Sequence, residues 1–297
     1  MPCRVKIYLK ASKSLKIDKP KGSLYTFFML SNFHTHTYLC KHAEGTPLDY
    51  ARQAAKDGCS ALGFSDHCPY PHDNMWLYCR MAAAEIPLYK QLVDEAKKEA
   101  AFPVYFGFEC EWAPHHVNWF KDELIGAYGA DYLVFGSHWF PLNGDLIYIA
   151  SVTEKRLLHK YIDFTIEGMK SGLYAFLAHP DLFLSNQTAI DADCLACADA
   201  LIDTANDAGM PLEINGYGLI KPQIRRSYGE DYQYPVSAFW ERAAKKNARI
   251  ICSSDAHQIE YVLQGVQNGI RYAENLGITV LDAADALGFA HAERHDG

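Results

Sequence analysis

Short apolar runs that end in a histidine or an acid recur along this chain, and a helix-length stretch separates each from the next. Residues 31–36 read as a strand carrying His34 and His36, with His42 six residues further on. Residues 61–65 form a run that ends in Ser65-Asp66-His67. Residues 104–108 end at Glu109, 132–136 at Ser137-His138, and 173–178 at His179-Pro180-Asp181. Residues 212–214 end at Asn215-Gly216, and 249–252 at the segment Ser253 to His257. Runs this short and this apolar read as buried strands. The stretches between them carry helix punctuation. Thr46-Pro47-Leu48-Asp49 supplies an N-cap, a proline for the first helical position and a first-turn acid, and Gly58 stands at C′. Further helices are expected over 81–100, after Asn118, after Thr153 as far as Gly172, over 191–208, and over 236–246.

Strands that alternate with helices imply parallel pairing. Seven such units fit a distorted (β/α)7 barrel, closed or nearly so. A doubly wound open sheet is the alternative. The barrel is favoured because His36, His67, Glu109, His138, His179, Asp255 and His257 all fall at C-terminal strand ends. That is the face on which β/α barrels build their active sites.

A chain of 297 residues that is 49% hydrophobic and 22% charged has the composition of an ordinary soluble protein. With a net charge of −8 and no long basic patch, nucleic acid is not an expected partner. No apolar run approaches the ~18 residues of a membrane span. The nine cysteines are odd in number and irregularly spaced, which points to free thiols and a cytoplasmic location. Residues 1–29 differ from the rest: they are lysine-rich, with one acid, and read as a basic extension or a start-site artefact. Residues 30–297 are expected to form one domain.

His34, His36, His42, His67, Glu109, His138, His179, Asp255 and His257 are the candidate metal ligands. On a strand His34 and His36 would face the same side. Singly, each residue has an ordinary role. His67 or His179 could be a satisfied buried histidine, Glu109 half of an ion pair, and Asp255 a helix cap. Together those roles would require a coincidence at every strand end but one. The other six histidines (His72, His115, His116, His159, His291, His295) lie away from strand ends. A single catalytic zinc takes about three protein ligands plus water, so nine suit two or three ions. Imidazole and carboxylate donors accept zinc, iron or manganese. Phosphoester hydrolysis is the chemistry that best fits such a cluster.

The motifs FHTHTYLCKH, LGFSDH, FGFECEW, FGSHWF, LAHPD, EINGYGLIKP and CSSDAH, in this order, resemble the polymerase-and-histidinol-phosphatase (PHP) family, and most closely its monofunctional histidinol-phosphatase branch. The resemblance runs from about residue 32 to 257. It implies a distorted seven-stranded barrel with a trinuclear metal site. His34, His36, Glu109 and Asp255 would hold one metal. Glu109, as a bridge, with His138 and His179 would hold a second, and His42, His67 and His257 a third. It further implies hydrolysis of a small phosphorylated substrate, foremost L-histidinol phosphate, by a metal-bridging hydroxide, with Glu109, Asp255 and His257 in catalysis. The alternatives are another small phosphate ester, a nuclease-like phosphodiesterase, or a non-catalytic metal-binding module. The branch carries Gly-Leu-Arg-Lys after its Glu-Ile-Asn strand, where this chain has Gly218-Leu219-Ile220-Lys221. Lys221, Arg225 or Arg226 would then supply the phosphate contact. Glu111 is a candidate for a substrate amine or one half of an ion pair. Tyr217 and the stretch Tyr228 to Tyr234 are candidates for the pocket wall. Cys40, Cys68 and Cys110 read as small buried neighbours or secondary ligands, and Cys194-x-x-Cys197 as one face of a helix.

Overall fold

Capping chemistry starts the first helix as the sequence predicts. In a computed structural model, which describes residues 30–71 and 78–290, Thr46 and Asp49 form a reciprocal capping box ahead of α1 (Pro47–Lys56). The basic extension, His72, His291 and His295 lie outside the described residues. In chain order β1 (Leu30–Asn32) precedes α1. Then follow β2 (Cys59–His67), α2 (Ile86–Glu99), β3 (Val104–Cys110), a π-helix (Trp119–Ala127) and β4 (Tyr132–Phe135). A hairpin of β5 (Trp139–Leu142) and β6 (Asp145–Tyr148) leads to α3 (Lys155–Met169), β7 (Phe176–Leu177), α4 (Ala192–Ala208) and β8 (Leu212–Asn215). A second hairpin, β9 (Ile224–Arg226) and β10 (Gly229–Asp231), precedes α5 (Ser237–Lys245), β11 (Ile250–Ser253), α6 (Tyr261–Asn275) and α7 (Ala283–Leu287).

Seven strands form one sheet in the order β1-β2-β3-β4-β7-β8-β11, and each neighbouring pair is parallel. The first and last strands meet without a regular ladder. The Asn32 side chain spans the gap, accepting from the Ser254 backbone N–H at 3.0 Å and donating to Ser254 Oγ at 2.7 Å. Beyond it, His36 N–H donates to the Ala256 carbonyl at 3.0 Å, and Ala256 N–H to the His34 carbonyl at 3.3 Å. The sheet is thus a nearly closed, distorted barrel rather than an open doubly wound sheet.

The opening strand is shorter than expected. It ends at Asn32, because the Asn32 side-chain oxygen also accepts from the His34 backbone N–H, at 3.2 Å. A local side-chain acceptor of this kind competes with the ladder. The strand before His179 is likewise two residues long rather than six. The helix after Asn118 is wound with i→i+5 bonding, as in Tyr128 N–H to the Glu123 carbonyl at 2.8 Å.

Two apolar clusters hold the barrel. The larger lies between sheet and helices and includes Tyr50, Phe64, Tyr89, Phe108, Phe135, Leu201 and Trp240. A smaller one, with Phe33, Tyr132, Val134, Phe176 and Ile251, packs on Ala283 and Ala284 of α7. Tyr132 donates its hydroxyl to the Phe33 carbonyl at 2.9 Å. Its ring occupies the space over Gly107, where a Cβ would come within 2.7 Å. No described helix is long and apolar enough to cross a membrane.

Candidate metal centre

Strand register delivers the first pair of site residues to one rim: His67 at the end of β2 is paired with Glu109 on β3. Glu109 is the hub. Its Oε1 lies 3.5 Å from His34 Nε2, 3.6 Å from His138 Nε2 and 3.1 Å from His179 Nε2. Its Oε2 lies 3.5 Å from His36 Nε2 and 2.8 Å from His67 Nδ1. Asp255 Oδ1 approaches His34 Nε2 at 3.5 Å and His36 Nε2 at 3.2 Å. On the other side of His36, His257 Nε2 and His42 Nε2 face each other at 3.0 Å.

Several sets have donor atoms within 4.8 Å of one another: His34 with His36 and Asp255, Glu109 with His138 and His179, and His42 with His67 and His257. His36 with His67 and Glu109, and His36 with Cys40 and His257, satisfy the same distance. All nine sequence-predicted ligands are therefore brought together. The sets overlap, sharing His36, His67, Glu109 and His257.

The imidazoles are held from behind. His34 Nδ1 bonds to Glu213 Oε1 at 2.8 Å, and His138 Nδ1 to Glu111 Oε1 at 2.8 Å. His42 Nδ1 bonds to the Cys40 carbonyl at 2.8 Å, and His257 Nδ1 to the Asp255 carbonyl at 3.0 Å. Such bonds fix the tautomer and turn the other nitrogen toward the centre. Two residues of the set adopt left-handed backbone, His179 at φ 31° and Asp255 at φ 50°. Non-glycine residues held there store strain, and such outliers concentrate at functional sites.

Imidazoles and carboxylates in the cluster act strongly on one another's protonation. Burial disfavours protonation of His34, yet Glu213, Asp255 and Glu109 raise its pKa well above the usual histidine value. Burial opposes ionisation of Glu109, but His138, His67 and His34 hold it well below the carboxylate range. Asp255 is depressed in the same way against burial, by His34, His36 and His257. His67 is pushed down to about 3 by burial. His34 Nε2, both nitrogens of His36 and His179 Nδ1 are buried without a hydrogen-bond partner. Unpaired buried nitrogen atoms converging on carboxylate oxygens fit divalent ions, whose charge and open coordination would satisfy both.

The cluster floors a cavity of about 270 Å³, walled by Trp139, Tyr148, Tyr217 and Tyr234. Of the anticipated tyrosines, Tyr217 and Tyr234 line the wall, whereas Tyr228 and Tyr232 do not. Of the three basic candidates only Lys221 reaches the cavity, with Nζ 2.5 Å from the Tyr234 hydroxyl. Arg225 is exposed on β9 and does not line it. Arg226 is a structural residue, contrary to expectation. The residue is 3% exposed, and its guanidinium donates to the Leu184, Gln187, Tyr232 and Gln233 carbonyls, which ties two loops together. Glu111 bonds to His138 at both its ring and its backbone N–H, and it also lines the cavity. Cys194 and Cys197 lie on the buried face of α4, as the helical spacing suggests.

Two acids behind the histidines, Glu213 and Asp66, are not marked as site residues by the sequence pattern. Glu213 stands in the middle of β8 and is fully buried. Asp66, also fully buried, approaches His36 Nδ1 at 3.6 Å and accepts from Thr37 Oγ1. An acid inside a run read as a buried strand was the available signal for both.

Comparison with known proteins gives the family. The PHP domain matches residues 32–216. The chain belongs to the PHP domain family. A Deinococcus radiodurans relative named "Probable histidinol-phosphatase" is 31% identical over 238 residues, covering 77% of this chain and 86% of its own length. Among solved structures, a histidinol phosphatase homologue of Listeria monocytogenes aligns with a TM-score of 0.63 at 16% identity, over 80% of this chain and 98% of that one. The histidinol phosphate phosphatase of Lactococcus lactis, solved with zinc, L-histidinol and phosphate, aligns with a TM-score of 0.62 at 14% identity, over 85% of this chain and 95% of that one. At these identities the structural matches establish the PHP barrel fold.

Proposed function

We propose that this PHP-family protein is a metal-dependent phosphomonoesterase whose substrate is L-histidinol phosphate. The observation that carries the reading is the convergence of nine imidazole and carboxylate side chains beneath a cavity with a basic residue, Lys221, in its wall. The name of the relative at 31% identity supports the substrate class.

Two to three divalent transition metals, zinc, iron or manganese, would be held by the three groups of ligands, with Glu109 shared between groups. Ions bound there neutralise a phosphate's charge and bring the pKa of water near neutrality. The remaining work falls to the chain. Glu213 and Glu111 hold His34 and His138 in one tautomer and orientation. Trp139, Tyr148 and Tyr234 limit water around the ester, and Lys221 adds a cation for its oxygens. Asp255 is assigned to proton transfer, and His257 to holding an ion with His42 and His67. The role of residues 1–29 is taken to be separate from this domain.

Elemental analysis of purified protein, paired with phosphate release from a panel of small monoesters led by L-histidinol phosphate, tests the reading. At least two metals per chain and fastest turnover of L-histidinol phosphate are expected. Metal-replete protein that releases phosphate from no monoester would leave a non-catalytic metal-binding module instead. Preferential cleavage of a phosphodiester would point to a nuclease-like enzyme.

A further inference from the structure

Two cationic side chains line the cavity among the described residues, Arg80 and Lys221. Lys221 follows β8, and its Nζ lies 4.6 Å from the centres of the Tyr217 and Tyr234 rings. Arg80 arrives from the segment before α2 and is 3% exposed. Its Nη1 donates to the Cys68 carbonyl at 2.7 Å, one residue beyond His67, and its guanidinium carbon lies 5.3 Å from the Tyr70 ring centre. A side chain held by a backbone carbonyl and packed on an aromatic face has already lost most of its rotamer freedom. Binding an anion then costs little further ordering. The guanidinium carries five N–H donors in a planar fork that matches two oxygens of a phosphate, which an ammonium cannot do.

We propose that Arg80 binds the phosphate of the substrate directly, as the guanidinium arm of a site in which Lys221 is the second cation. The inference rests on the phosphatase reading and refines it. Arg225 lies outside the cavity and Arg226 is spent on backbone carbonyls, so neither competes for this role. The bond to the Cys68 carbonyl also couples Arg80 to the strand end that presents His67. Ligand and phosphate arm therefore keep a common reference frame.

The test is binding of inorganic phosphate to metal-replete full-length protein, by calorimetry, for wild type, Arg80→Lys and Arg80→Met. Melting temperature and metal content are measured alongside. Arg80→Met is expected to weaken phosphate binding roughly tenfold or more, with Arg80→Lys intermediate and both retaining metal. Folded, metal-replete variants that bind phosphate as wild type does would overturn the assignment. If neither variant folds, a crystal structure of wild type with phosphate decides. A guanidinium nitrogen within hydrogen-bond distance of the anion supports the proposal, and a phosphate out of its reach overturns it. Wild-type protein that holds its metals yet binds no phosphate would instead sink the phosphatase reading itself.

Discussion

Glu213 Oε1 bonds to His34 Nδ1 at 2.8 Å, and the same carboxylate accepts the backbone N–H of His179 through Oε2 at 3.1 Å. One buried acid thus positions two histidines that belong to different ligand groups. Glu213→Gln keeps the shape but removes the charge that fixes the His34 tautomer. Metal affinity is expected to fall about 10- to 100-fold, measured by competition with a chromophoric chelator. Unchanged affinity would show that Glu213 does no more than hold strand β8 in place.

Removing metal should affect stability as well as turnover. The cluster gathers imidazole and carboxylate donors around a common centre, and ions that bind the native state alone add stability. At a free concentration of a hundred times Kd, one such ion contributes about 2.7 kcal/mol. Dialysis against a chelator is therefore expected to abolish phosphate release and to lower the melting temperature by several degrees. Both should recover when metal is returned. A melting temperature indifferent to chelation would contradict a cluster built to hold ions.

Gly136 lies where a side chain cannot go. A Cβ there would fall 2.6 Å from the Glu109 carboxyl carbon, in the space the hub residue occupies. Gly136→Ala should fold yet displace Glu109, lowering kcat about a hundredfold, the scale expected for an ångström-sized misplacement. Circular dichroism and steady-state kinetics on the same preparation separate the two effects. Wild-type kinetics would mean that Glu109 tolerates the shift.

Arg226 makes the opposite prediction. Its buried guanidinium holds carbonyls of the segments around Leu184 and Tyr232 rather than substrate. Arg226→Met leaves those carbonyls unpaired and should cost about 3 kcal/mol of stability, read by denaturant titration. KM of the folded fraction should remain unchanged. A raised KM with intact stability would return Arg226 to the substrate site.

What could be read in the sequence was whatever repeats locally. Strand, helix and capping signals act over a few residues. The alternation of elements and the metal-capable residue at almost every strand end were therefore visible without coordinates, and with them the barrel and the nine-residue cluster. The length of β1 was misjudged because Asn32 takes the His34 N–H off the ladder, a side-chain effect that hydrophobic pattern does not record. The basic residues were harder. Arg225 and Arg226 are neighbours in sequence, but one is exposed and the other is sunk among backbone carbonyls. Only tertiary structure decided that Glu213 stands behind His34 across a sequence separation of 179, that Arg226 is buried among carbonyls, and that Arg80 reaches the cavity. The physical reason is barrel closure. A strand's own sequence sets which face its side chains take, but contact between distant strand ends depends on register and on the joint between β1 and β11.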